Sequence, residues 1–167
     1  MFLIVQWMIA VILYMDLQIR RARLTDAAAL SELIGETAGK LLKPHYSEEQ
    51  WNIFIRYYSE ADVLQKISQQ AVFCAEIDGA IVGTVALADG FVLGFYTRVH
   101  HVGQGIGSRV MEYLEEYARG IGLSRLQLAS SPVGLAFYYK HGWVKVRDIV
   151  AVHYGVGYEE TLMEKVL

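Results

Sequence analysis

Residues 91–108 read FVLGFYTRVHHVGQGIGS, and the change of pattern inside this stretch decides the fold. Phe91 to Arg98 is rich in aromatic and β-branched residues, which predicts a strand. After His100 and His101 come Gly103, Gly105 and Gly107, and from Ile106 onward the spacing becomes helical. Ile106, Val110, Leu114, Tyr117 and Ile121 share one face, with Arg109, Glu112, Glu115 and Glu116 on the other. Gly120 and Gly122 predict where this helix stops. A strand that turns through glycines into a helix N-terminus gathers free backbone N–H groups and the positive end of a helix dipole, a combination suited to an anion such as a phosphate. Two nucleotide motifs do not fit: Gly-x-Gly-x-x-Gly counted from Gly103 ends on Ser108, and Gly-Lys-Ser/Thr is missing from the cluster. The glycines taken alone are also compatible with a flexible turn.

Upstream of this stretch, AVFCAEI and AIVGTVALA flank Asp78-Gly79, a pair that supplies the positive φ values of a tight hairpin. Leu17 to Arg23 alternates loosely and predicts a first strand. Thr25 then offers an N-cap hydroxyl, with Ala29, Leu30, Leu33 and Ile34 at helical spacing. Ser47 and Gln50 form a capping-box pattern before Trp51, Phe54, Ile55 and Tyr58, and a weaker helical segment covers 61–69. Downstream, SRLQLAS predicts a strand, PVGLAFYYKHG a short helix, and WVKVRDIVAVHY and YEETLMEKVL two further strands. The expected fold class is α/β (α+β): a mixed sheet of about seven strands covered by helices.

The chain has 167 residues, enough for one domain with a sizeable core, and we divide it into 1–15 and 16–167. A net charge of -3 provides no basic field for nucleic acid. Residues 2–15, FLIVQWMIAVILYM, would span about 21 Å as a helix, short of a bilayer core of about 30 Å. They lack the flanks of a signal peptide. They are read as an apolar extension upstream of a start at Met15, a membrane-touching tail or an ordered packing element. The single Cys74 cannot form an internal disulfide, and no Cys/His cluster has metal-site spacing, so a metal-free domain in the reduced cytoplasm is expected.

FVLGFYTR, VGQGIGS, the helix behind them and the later AFYYKHGW together resemble the GNAT-type N-acetyltransferase superfamily, over Leu17 to Leu167. The family's acyl-CoA motif, Gln/Arg-x-x-Gly-x-Gly/Ala, lands on Val102, Gly103, Gln104, Gly105, Ile106 and Gly107, with Val102 replacing the usual Gln or Arg. The resemblance implies a mostly antiparallel sheet splayed at the acyl-CoA site. It implies acetyl-CoA as cosubstrate, with pyrophosphate on the backbone amides of Gly103 to Ser108 and pantetheine beside Phe95, Tyr96, Thr97 and Arg98. Ser131 stands where many members carry Asn near the pantetheine. Arg98 and Arg109 are further phosphate candidates. The region around His45, Tyr46, Glu48 and Tyr57 or Tyr58 would shape the acceptor pocket, whereas Trp51 and Phe54 are read as core.

In Ala136-Phe137-Tyr138-Tyr139-Lys140-His141-Gly142-Trp143 the resemblance makes Tyr138 the general acid facing the departing thiolate, with Tyr139 as its rival. A phenol can protonate that thiolate as it leaves; both tyrosines could equally be packing aromatics. The acceptor amine must lose a proton, and Tyr96, Thr97, His100 and His101 lie near the expected acyl site, with Glu76 and Asp89 as remoter choices. No single base emerges. Backbone N–H groups at a bulge near Phe95 to Thr97 would polarise the thioester carbonyl. The expected function is direct acetyl transfer from acetyl-CoA to a primary amine of a small molecule or peptide, by a monomer or homodimer. The rival is a non-catalytic acyl-CoA-binding sensor.

Overall fold

The computed structural model describes Met8 and residues 16–167, so the assignment of 1–15 falls, Met8 apart, outside the described residues. The strands are β1 (Gln18–Arg21), β2 (Ala71–Ile77), β3 (Ala80–Ala88), β4 (Phe91–Thr97), β5 (Arg125–Ser130), β6 (Val144–His153) and β7 (Val156–Val166). The α-helices among the described residues are α1 (Ala27–Leu41), α2 (Glu48–Tyr57), α3 (Glu60–Gln69), α4 (Ile106–Gly120) and α5 (Leu135–Lys140). The strands form one sheet in the order β1-β2-β3-β4-β5-β7-β6, antiparallel except between β4 and β5.

Local chemistry accounts for most boundaries. Asp78 and Gly79 adopt φ of 50° and 77° in the β2–β3 turn, as their sequence predicts. Ser47 Oγ accepts from the Gln50 N–H at 3.1 Å while Gln50 Oε1 accepts from the Ser47 N–H at 2.9 Å, closing the capping box of α2. The expected Thr25 cap does not form. Leu24–Asp26 is a 3₁₀ turn, and its N–H partner is the Asp26 carboxylate, which accepts from the Arg23 N–H at 2.7 Å. Ile121 is exposed rather than on the apolar face, because α4 stops at Gly120. Glu115 departs from its expected solvent face: it is buried and receives Lys165 Nζ of β7 at 2.7 Å.

Both faces of the sheet are covered, so β2 and β3 are apolar at consecutive positions rather than alternating. On one face α4 contributes Val110, Met111 and Leu114 against Phe73, Val85, Leu126 and Trp143. On the other, Leu30, Leu33 and Ile34 of α1 meet Val72, Cys74 and Ala86, with Phe54, Val63 and Ile67 from α2 and α3. Each such fully buried aliphatic side chain stabilises the fold by about 1.5–3 kcal/mol. Cys74 is fully buried, and desolvation pushes its thiol up to about 12, which leaves it unreactive. Beside it Arg20 of β1 holds both Asp26, at 2.8 and 3.0 Å, and Glu76 of β2.

The feature that positions the site is a failure of pairing. β4 and β5 are in register only at Phe91 and Gln127, where the Gln127 N–H donates to Gly90 O at 3.0 Å. Past that point the strands diverge. On its other side, β4 pairs Tyr96 with Thr84 but Leu93 with Ala86, so Gly94 and Phe95 stand opposite Val85 alone. That extra residue is a β-bulge, with Gly94 at φ 53°.

Candidate functional site

A groove of about 850 Å³ occupies the cleft where β4 leaves β5. Its walls bring together segments far apart in sequence: the C-terminal half of β4, the glycine loop, residues 128–131, α5, and the inner face of β6 and β7.

At one end lies the glycine loop. Gly103 and Gly105 hold φ of 81° and 84°, and a Cβ built on either would meet nothing within 4 Å, so both combine a left-handed backbone with open space in front. Gly107 does a different job. A Cβ there would lie 3.3 Å from Phe95 and 3.4 Å from Phe137, so the missing side chain lets α4 approach β4 and α5 closely. The first turn of α4 leaves the N–H groups of Ile106, Gly107 and Ser108 without intrahelical acceptors. An anion laid across the loop satisfies them, and an open, amide-lined cradle of this shape fits a pyrophosphate.

The expected loop residues divide into two groups. Val102, Gly103, Gly105, Gly107 and Ser108 line the groove. Ile106 instead sends its side chain into the core, and Gln104 turns to His101 Nδ1 at 3.0 Å and to His100 O at 3.3 Å. The Val102 N–H is already turned inward to Val99 O at 3.4 Å. Arg98 is engaged elsewhere, with Ile81 O at 3.2 Å and Glu36 at 2.7 Å, and Arg109 faces Glu112 at 3.7 Å.

Ser108 Oγ and His141 Nε2 are 2.8 Å apart, and His141 Nδ1 is 2.7 Å from Phe137 O. A carbonyl only accepts, so Nδ1 carries the proton and, in the neutral ring, the Ser108 hydroxyl donates to Nε2. The histidine ring stacks on Phe137 with centroids 4.0 Å apart. Sequence reading did not single out His141. Its place in AFYYKHGW was visible, but nothing in the order of residues paired it with Ser108.

In the middle of the groove, Phe95, Tyr96 and Thr97 present the side of β4 that β5 has abandoned, opposite Ser131. Tyr138 lies in the same wall, with its ring against Phe95, Phe137 and Trp143 at centroid distances of 6.1, 5.5 and 5.9 Å. Burial first, and then the negative charge of Glu160, hold its phenol well above the ordinary value, so it keeps its proton. Tyr139 is 50 % exposed and does not line the groove. Tyr96 is held protonated too, by burial and by the neighbouring Tyr58.

The structure does not bring His100 to the groove: it is exposed on the 3₁₀ turn Val99–His101. Glu76 is taken by Arg20, and Asp89 occupies the β3–β4 turn at φ 50°.

The far end is aromatic. Tyr46, Tyr57 and Tyr58 line it, and so does Phe54, which is core and groove wall at once. Trp51 stays behind, stacked on Phe54 at 5.5 Å. Tyr158 and Glu160 of β7 and His153 of β6 complete this end. Tyr158 and Glu160 are two apart in YEETLMEKVL, the spacing that puts strand residues on one face, yet only the sheet order carries that face to the groove. Desolvation raises the Glu160 carboxyl to about 7.

The acetyltransferase (GNAT) family model matches residues 32–143, from α1 through Trp143. No curated protein sequence matches the chain. Among solved structures, a GCN5-related N-acetyltransferase from Rhodopseudomonas palustris superposes with a TM-score of 0.83 at 25% identity, covering 90% of this chain and 95% of that one. The PaiA N-acetyltransferase from Thermoplasma acidophilum, solved with coenzyme A, gives a TM-score of 0.77 at 22% identity over 90% and 99%. yncA from Salmonella typhimurium, solved with acetyl-CoA, gives 0.62 at 20% identity over 90% and 94%.

Proposed function

Because this chain belongs to the acetyltransferase (GNAT) family, and is thereby an acetyl-CoA-dependent acyltransferase, we propose that it acetylates a primary amine of a small molecule or peptide by direct attack in a ternary complex. One observation carries this reading: the glycine cradle and the partly buried, protonated Tyr138 open into the same groove, at the place where β4 and β5 separate.

The N–H groups of Gly103 and of Gly105 to Ser108 hold the pyrophosphate, Ile106 acting through its backbone alone, while Val102 lines the groove and Gln104 braces the loop. The unpaired side of Phe95, Tyr96 and Thr97 receives the pantetheine amides as a neighbouring strand would, and Ser131, just past the end of β5, borders it. Backbone N–H groups at the Gly94–Phe95 bulge polarise the thioester carbonyl. As the amine nitrogen bonds to the carbonyl carbon and the C–S bond breaks, the Tyr138 hydroxyl gives its proton to the sulfur. Buried Cys74 supports transfer without an acetyl-cysteine. The acetyltransferase domain is taken as 16–167, with 1–15 as an extension. Among the described residues no helix is long and apolar enough to cross a membrane. The free, buried thiol supports a cytoplasmic setting.

The test is thiol release from acetyl-CoA across an amine panel, paired with calorimetric titration of CoA. Binding with turnover of at least one amine is expected. Tight CoA binding with no amine turned over would instead identify a sensor domain.

A further inference from the structure

The far end of the groove holds a carboxylate with nothing to pair it. Among the described residues the Glu160 carboxylate has no hydrogen bond and no ion pair, and it is the one acidic side chain among them lining the groove. Glu160 is half-buried, so its carboxylate is partly withdrawn from water with no protein group to compensate it, and a perturbed, unpaired acid in a cleft is where a ligand of opposite charge is received. The surroundings define that ligand. Tyr46 comes from the loop before α2, Tyr57 and Tyr58 from the end of α2, His153 from β6, Tyr158 from β7 and Tyr138 from α5.

Five of these groups are phenols, and burial or neighbouring charge keeps Tyr46, Tyr57, Tyr58, Tyr138 and Tyr158 protonated. Desolvation and nearby Lys66 depress His153, so it is neutral. Lys66 itself sits behind the wall, its Nζ 3.8 Å from the Tyr57 ring centre, and it does not line the groove. The cationic side chain that does line it, Lys140, adjoins His141 at the glycine-loop end. This end is therefore a box of aromatic faces with a single negative charge, the chemistry that receives an ammonium group.

We infer that Glu160 binds the ammonium end of the acceptor and takes its proton, and that the acceptor is a primary amine with no carboxylate beside the nitrogen. A proton passes from R–NH₃⁺ to the Glu160 carboxylate, leaving R–NH₂ with a free electron pair. That pair forms the C–N bond at the thioester carbonyl, the C–S electrons leave with sulfur, and Tyr138 protonates the sulfur. The tyrosinate then removes the second nitrogen proton, and Glu160 releases its own to solvent. The balance is ammonium plus acetyl-CoA giving amide, CoA and one proton. An α-amino acid would set its carboxylate against Glu160 with no cation to offset it. Desolvation brings Glu160 to about 7, so near neutral pH its ionised and protonated forms are both populated and the carboxylate is basic enough to accept a proton.

Glu160 can play this part only if the chain is the acetyltransferase proposed above, and the test reports the two separately. Phenethylammonium and L-phenylalanine differ by the carboxylate alone. Each is titrated into the full chain saturated with CoA and then assayed with acetyl-CoA. The amine should bind and turn over at least about tenfold better than the amino acid. Glu160→Gln should retain CoA affinity, bind the amine at least about tenfold less well, and lower kcat/KM roughly 10²-fold while losing the rise with pH near neutrality. Glu160→Asp, which keeps the charge, should recover part of the loss. Equal or better use of phenylalanine, no binding of the amine by the CoA-loaded parent, binding without turnover, or a parent-like Glu160→Gln would each overturn the assignment. Failure of the parent to bind CoA would overturn the acetyltransferase reading itself.

Discussion

Ser108 and His141 are joined side chain to side chain across 2.8 Å, although 33 positions separate them. Ser108 stands in the first turn of α4, where the anion cradle is built, and His141 caps α5, which carries Tyr138. The bond therefore ties the half of the groove proposed to hold phosphate to the half proposed to donate a proton.

Removing that tie should be felt at both ends. In Ser108→Ala or His141→Ala, with one hydrogen bond worth about 1 kcal/mol lost, CoA affinity should fall about fivefold and turnover should drop with it. The double variant should cost little more than His141→Ala alone, since that variant already deletes the bond to Ser108 together with the contacts to Phe137. Additive losses in calorimetry would show that the two residues act independently.

Gly105→Val tests the cradle. A β-branched side chain at φ 84° is strained, and its methyls would occupy the open space where the pyrophosphate is placed. Weaker CoA binding by at least tenfold is expected, with a melting temperature only modestly reduced because no neighbour lies within 4 Å of the added Cβ. Parent-like affinity in a folded variant would remove the loop from the site.

Tyr138→Phe keeps the ring and loses the acid. Turnover should fall by about 10²-fold with acetyl-CoA binding little changed, whereas Tyr139→Phe should be mild, its side chain being 50 % exposed and outside the groove. Steady-state kinetics on both variants decides between them. A large loss in Tyr139→Phe alone would reverse the assignment.

Arg20, by its paired hydrogen bonds, holds the Asp26 carboxyl below the usual carboxylate range. A carboxylate with a depressed folded value contributes stability above its unfolded value, and that contribution disappears as pH falls through the folded one. Urea unfolding should therefore show the parent weakening below about pH 4. Asp26→Asn, about 2 kcal/mol less stable at pH 7, should lack that part of the decline. Parallel pH curves for parent and variant would disprove the linkage.

Much of this was legible in the order of residues. The strand, glycine turn and helix of 91–120, the Asp78-Gly79 hairpin and the Ser47–Gln50 cap all formed where local chemistry predicts, because each depends on backbone preferences and hydrogen bonds only a few residues apart. The glycine loop could be marked as a strand-to-helix turn on the same footing, whereas Tyr138 and the roles of the loop came from the family resemblance alone. Where local logic was outweighed, a distant group was responsible. Asp26, engaged by Arg20, displaced the expected Thr25 cap, and Lys165 at the end of β7 turned Glu115 from a solvent residue into a buried partner.

The sequence by itself therefore determined the strands and helices and the strand–glycine–helix turn of 91–108, since these follow from periodicity and from residues that are neighbours in the chain, whereas the candidate acid was named by the family resemblance. Only the tertiary structure decided what faces what. The parting of β4 from β5 opened the groove, and the insertion of β7 between β5 and β6 carried Tyr158 and Glu160 to its aromatic end while leaving His100 outside. Strand order is set by burial of both sheet faces over the whole chain. No local pattern encodes it, so a carboxylate that looked like one of several on a polar strand became an unpaired charge in a box of tyrosines.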